Sequence, residues 1–126
     1  MPEVVKSGKS VLVVEDDDNT MLFYRELFKR TKYPMLYAKN GFEALQTVID
    51  HDEIGLVLMD IKMPFMGGYE AFTEIKKIKN IPIIAHTAYA LSGDKEKATA
   101  FGFTDYFTKP INKEALLKKI DSLILE

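Results

Sequence analysis

Short apolar runs along this chain each stop at polar residues. Val11 to Val14 runs into Glu15, Asp16, Asp17 and Asp18; Leu56 to Met59 stops at Asp60; Ile81 to Ala85 gives way to His86 and Thr87; Asp105 to Phe107 leads to Thr108, Lys109 and Pro110. Runs this short and this rich in Val, Ile and Leu predict strands buried on both faces. A fifth run, Met35 to Ala38, has the weakest strand pattern; Pro34 announces it and the turn signal Asn40-Gly41 closes it. Between the runs, apolar residues recur at spacings of three and four: Met21, Tyr24, Leu27 and Phe28; Leu45, Val48 and Ile49; Ala71, Phe72, Ile75 and Ile78. Each set lies on one helix face. The last helix is capped by Asn112 and carries Leu116, Leu117, Ile120, Leu123 and Ile124. The fourth, around Leu91 to Phe101, has the polar middle Gly93-Asp94-Lys95-Glu96-Lys97, so little apolar area holds it and it is expected to be the most mobile helix.

The resulting order, βαβαβαβαβα with right-handed crossovers, predicts an α/β fold: a doubly wound parallel sheet with helices on both faces. Polar residues that end several strands on the same side then converge on the carboxyl edge of the sheet, where open α/β folds bind ligands. Residues 1–10 read as a flexible lead-in and 11–126 as one domain.

A chain of 126 residues buries about two-thirds of its unfolded surface, sufficient for one core. Seventeen basic and nineteen acidic residues give a net charge of -2 without a long basic run, which argues against direct nucleic-acid binding. Cysteine is absent, removing disulfides, thiol catalysis and thiolate metal sites together. No run approaches the roughly 20 apolar residues of a membrane span, so a cytoplasmic location is expected.

Asp60 is the centre of the chemistry. An Asp after a strand is ordinarily a turn former, but this one sits at the rim of the sheet and is followed by Met63-Pro64-Phe65-Met66-Gly67-Gly68, a tight loop rich in backbone donors and acceptors. Capping of the next helix absorbs Asp17 or Asp18. It leaves Glu15 and Asp16, which with Asp60 on the neighbouring strand crowd three carboxylates together. Such charges repel unless some are protonated or a cation joins them. A hard divalent ion with oxygen ligands fits, and magnesium suits a small acidic corner better than calcium does. Lys109, a surface lysine on the bland reading, stands where it supplies a countercharge, and Lys109-Pro110 permits a cis peptide. Thr87 places a hydroxyl on the same rim. His86 and His51 are lone histidines without a matching partner and read as structural.

In this order and at these strand ends, the residues resemble a receiver domain of the two-component response-regulator family (CheY-like superfamily), over essentially all of Val11 to Leu125. The resemblance rests on Glu15 and Asp16, Asp60 within Asp60-Ile61-Lys62-Met63-Pro64, Thr87-Ala88, Tyr106 and Lys109-Pro110. It implies a flavodoxin-like, five-stranded sheet of order 2-1-3-4-5 with five helices. It also implies that Asp60 is the phosphoacceptor, taking a phosphoryl group from a histidine kinase or histidine phosphotransfer protein. Magnesium, or manganese in its place, would bind Asp16, Asp60 and the main-chain carbonyl of Lys62, with Glu15 acting mostly through water. Thr87 and Lys109 would hold the phosphoryl oxygens, Tyr106 would follow Thr87 as a switch, and Lys62 and Tyr89 would tune dephosphorylation. The same likeness leaves room for a phosphorylation-dependent dimer through helix 4, strand 5 and helix 5.

Two departures stand out: Glu15 where Asp is more frequent, as in receivers of hybrid sensor kinases, and Gly67 where the loop often has Asp. Neither removes a required group. With no output region after the last helix, the chain is expected to be a stand-alone receiver or one taken from a longer protein. A phosphatase of the haloacid-dehalogenase kind would need a carboxylate two residues after Asp60, where Lys62 stands. A flavodoxin-like carrier would need a hydroxyl-rich phosphate loop in place of Glu15 to Asp18. A pseudo-receiver, a binding module without phosphorylation, is the remaining alternative.

Overall fold

A computed structural model describes residues 8–88 and 91–124. Five strands and five helices alternate: β1 (Ser10–Val14), α1 (Asp18–Lys29), β2 (Met35–Ala38), α2 (Gly41–Asp50), β3 (Ile54–Asp60), α3 (Gly68–Ile78), β4 (Ile83–Thr87), α4 (Asp94–Phe101), β5 (Asp105–Thr108) and α5 (Lys113–Leu123). All strand pairs are parallel, in the order β2-β1-β3-β4-β5. The fold is the CheY-like flavodoxin fold.

Alternation along the strands divides the interior into two cores. Leu12, Val14, Val57, Met59 and Ala85 face α2, α3 and α4, packing on Ala44, Val48, Phe72, Ile75 and Ala98. Val11, Val13, Leu56, Leu58 and Ile84 face α1 and α5, packing on Met21, Tyr24, Phe28, Leu116 and Ile120. Both faces of the central strands are thereby dry, as their apolar runs required. Asp17 and Asn112 cap their helices as the sequence indicates, accepting from the amides of Thr20 and Ala115, and Asn40, read as part of a turn, also caps α2 by accepting from Glu43 N.

Several boundaries differ from expectation: β3 starts at Ile54 rather than Leu56 and runs on through Asp60, and β5 takes in Thr108. Strand β1 takes in Ser10, whose amide donates to Glu53 O at 2.9 Å, so the lead-in gives up its last residue. Strand β4 begins at Ile83 rather than Ile81 and includes His86 and Thr87. Pro82 has no amide to give a ladder; only its carbonyl pairs, accepting from Val57 N. Helix α4 begins at Asp94 rather than near Leu91, because Gly93 sits at φ 88, a left-handed turn that a helix cannot contain.

Helix α4 buries only Ala98 among its described residues, in keeping with its polar middle. Its carboxyl end is nevertheless fastened: Phe101 meets Tyr69 edge-on at 4.7 Å and Phe72 at 5.3 Å between ring centroids. At the amino edge of the sheet Lys79 reaches across to donate to Asp52 O and Ile54 O, and Lys9 and Ile124 come together beside Gly55.

The loop from Asp60 to α3 has little slack. A Cβ on Gly68 would fall 2.7 Å from both Asp60 O and Ile61 Cα, which are backbone atoms that cannot yield locally. Gly68→Ala should therefore destabilise the protein by about 1–3 kcal/mol through overpacking. The check is the urea midpoint at an unchanged m-value; an unshifted midpoint would show that the loop accommodates the methyl group.

Candidate functional site

The carboxyl ends of β1, β3, β4 and β5 enclose a cleft of about 300 Å³ lined by Asp16, Thr20, Asp60, Lys62, Thr87 and Lys109, with Glu15 at its base. Glu15 is buried because the chain has not yet left the sheet: its amide still pairs with Ala38 O at 3.0 Å. Asp16, one residue on, is exposed. Asp60 closes β3 in register with His86 and is only 5% exposed, deeper than the rim position expected of it. Strand β3 continues through Asp60, and Ile61 N still donates to His86 O at 3.3 Å. One carboxylate oxygen from each of Glu15, Asp16 and Asp60 lies within 4.8 Å of the others.

Lys109 follows β5, its amide donating to Thr87 O at 3.0 Å, and its bond to Pro110 is cis. The ammonium donates to Glu15 Oε2 at 3.0 Å and to Thr20 Oγ1 at 3.3 Å. It is the countercharge of the acidic corner, resting on Glu15. Thr87 is buried at the end of β4. Tyr106 is buried on β5, and its hydroxyl has no hydrogen-bond partner among the described residues. Between them lies a smaller hollow of about 100 Å³ lined by Thr87, Tyr106, Tyr69, Asp94 and Lys97. The amide of Lys62 donates to Asp60 Oδ1 at 3.1 Å. Tyr89 lies outside the described residues.

Both histidines have neighbours that the sequence did not disclose. His51 pairs with Glu53 at 2.8 Å on the surface. His86 is wholly buried beneath the cleft, with Nδ1 3.6 Å from Glu15 Oε2 and its ring edge-on to Tyr24 at 5.3 Å. Burial and, secondarily, the Lys109 charge hold its imidazole neutral, with the pKa pushed down to about 3. Thr20 is the residue of the cleft that sequence reasoning passed over. Its signal was its place three residues after the cap Asp17.

Asp60 carries the main electrostatic perturbation. Burial first, then the neighbouring Glu15, pushes its carboxyl up to about 7, against the opposing effects of the Lys62 amide and Lys109. Three convergent carboxylates, two of them buried, and no sulfur or paired imidazole make a donor set suited to a hard cation.

The family model of the response regulator receiver domain matches residues 11–121. The chain belongs to that family. Among curated relatives, the polar-differentiation response regulator DivK of Brucella anthropi is 35% identical over 119 residues, covering 92% of this chain and 96% of that protein. Among solved structures, the receiver domain of sensor histidine kinase PA1611 from Pseudomonas aeruginosa superposes with a TM-score of 0.82 at 29% identity, covering 93% of this chain and 98% of that one. That structure has a magnesium ion coordinated in its active site cleft. A Saccharomyces cerevisiae structure of the histidine phosphotransfer protein Ypd1 with the receiver domain of Ssk1 matches at 31% identity with a TM-score of 0.79, covering 91% of this chain and 88% of that one. This receiver is thus a component of two-component signalling, and no helix among its described residues is long and apolar enough to cross a membrane.

The raised carboxyl sets a pH dependence. An unfolded chain releases the Asp60 proton near the ordinary value of 3.8, whereas the folded metal-free receiver holds it to about 7. Between those values the folded state binds more protons, so stability falls as pH rises through this window and levels off above it. Asp60→Asn removes the dependence. Thermal melts in chelator at about pH 5 and about pH 8 should show the variant gaining on the wild type at the higher pH; a parallel pair of curves would refute the raised value.

Proposed function

We propose that this receiver is a phosphoacceptor switch that takes a phosphoryl group onto Asp60 from a phosphohistidine of a histidine kinase or histidine phosphotransfer protein. The observation that carries the reading is the convergence of Glu15, Asp16 and Asp60 around one cleft that also holds Lys109 and Thr87. In the transfer an Asp60 carboxylate oxygen attacks phosphorus, the phosphorus–nitrogen bond breaks, and the donor imidazole keeps that electron pair. The product is an acyl phosphate. Asp16, Asp60 and the main-chain carbonyl of Lys62 would hold magnesium, with Glu15 acting mostly through water; manganese could substitute. An ion held there would supply positive charge against the crowded carboxylates and the incoming phosphoryl oxygens.

Lys109 and Thr87 donate to the phosphoryl oxygens. Lys109 has then to leave Glu15, and Thr87 to turn toward Asp60. The hollow between Thr87 and Tyr106 gives Tyr106 room to follow, which alters the surface of α4, β5 and α5 and allows a phosphorylation-dependent dimer there. New phosphoryl contacts shift that equilibrium only by their differential affinity for the two arrangements. Leu22 is exposed on α1, and Phe23 and Ile111 border the Lys109 side of the cleft, offering apolar footing to the donor protein. The domain catalyses only its own phosphorylation and dephosphorylation, in the cytoplasm. Lys62 lines the cleft beside the line of an attacking water, and the family resemblance assigns Tyr89, two residues after Thr87, to the same tuning of dephosphorylation; the phosphorylated form is accordingly long-lived.

Incubation with magnesium and acetyl phosphate, followed by intact mass and peptide mapping, is expected to place one phosphoryl group on Asp60. Chelator and Asp60→Asn should each abolish it. Stoichiometric labelling of the Asn variant would assign the chemistry elsewhere, and no labelling of the wild type would favour a pseudo-receiver. Replacing Lys62 and Tyr89 together by small polar residues should speed loss of the group, measured by its decay after donor removal; a slower or equal decay would remove their obstructing role.

A further inference from the structure

The Thr20 hydroxyl does more than cap a helix. Capping of α1 needs only the amide of Thr20, which donates to Asp17 Oδ2 at 2.9 Å and which any residue but proline would supply. The side chain makes a second, separate bond: Oγ1 donates its proton to the same Asp17 Oδ2 at 2.7 Å. With that proton committed, the oxygen can only accept from Lys109 Nζ at 3.3 Å. Asp17 N in turn donates to Glu15 Oε1 at 3.0 Å, while Glu15 Oε2 takes Lys109 Nζ at 3.0 Å. A closed circuit therefore joins the ends of β1 and β5 to the first turn of α1, with the ammonium held between a charged acceptor and a neutral one.

We propose that Thr20 is a positioning residue for Lys109, the tether that keeps the ammonium at the cleft when Glu15 gives it up. This rests on the reading of Lys109 as a ligand of the phosphoryl group. The two acceptors differ in what happens to them during that reaction. Glu15 belongs to the carboxylate cluster that a cation engages, so its hold on Lys109 weakens as the site fills. Thr20 is neutral and outside the cluster, so its hold does not. A lysine on its flexible four-carbon stem, freed of both partners, must be ordered again at a cost in side-chain entropy.

Thr20→Val keeps shape and branching but removes the acceptor; Thr20→Ser restores it. In the metal-free, unphosphorylated receiver, nitrogen-15 NMR of the Lys109 ammonium, assigned with Lys109→Arg, is expected to show faster proton exchange with water in Thr20→Val and near wild-type exchange in Thr20→Ser. Phosphorylation by acetyl phosphate with magnesium should slow on the order of tenfold in Thr20→Val, the scale of one hydrogen bond to a charged group, and recover in Thr20→Ser. A merely structural role would instead lower the melting temperature with no change in ammonium exchange. Should Thr20→Val fold poorly, Asp17→Ser preserves a good cap while removing the carboxylate that orients the hydroxyl, and is expected to loosen the ammonium in the same assay. Unchanged exchange in whichever variant folds overturns the proposal. Absence of labelling in the wild type would overturn the phosphoacceptor reading instead, leaving the exchange measurement to decide on the tether.

Discussion

Ionising both Glu15 and Asp60 sets like charges against each other where water scarcely reaches, since each is nearly fully buried at the sheet edge. The neighbourhood is arranged around that cost. Asp60 keeps its proton up to about pH 7, the Lys62 amide donates to one of its oxygens, and Lys109 crosses from β5 to neutralise Glu15. Beneath them a neutral His86 and the unionised Tyr24 phenol form a floor that adds no charge. A site so balanced is poised to accept positive charge from outside, because a cation relieves both the repulsion and the forced protonation.

Much of this was legible in the chain. The strands could be read because burial on both faces leaves nearly continuous apolar runs, and two helix starts because Asp17 and Asn112 advertise caps. The identity of the cleft residues followed from where those runs end. What escaped was non-local. Nothing near Lys109 in sequence says that it would rest on Glu15 and Thr20 rather than Asp60, since a long side chain chooses among acceptors only in three dimensions. The start of β4 was misplaced because Ile81 is as apolar as a strand residue and is indeed buried, yet it lies in the connection before Pro82. The depth of Asp60 was missed for a related reason: a carboxylate inside a strand and one just past it look alike in a pattern of apolar and polar letters.

The fourth helix shows the same limit. Its polar middle correctly announces how little of it the core holds, but Phe101 finds Tyr69 and Phe72 on a neighbouring helix, contacts between elements far apart in the chain. The helix is consequently held unevenly. Aromatic packing fixes its carboxyl end, while its amino half, through Asp94 and Lys97, lines the hollow shared by Thr87 and Tyr106.

The meeting of Lys9 and Ile124 beside Gly55 places the first and last described turns of the chain together at the amino edge of the sheet, on the side away from the acidic cleft. These turns divide the molecule into an attachment pole and a reactive pole. A tether, a label or another folded unit joined at residues 9 or 124 leaves the cleft open to solvent, so the domain can be carried by very different neighbours without rebuilding its chemistry.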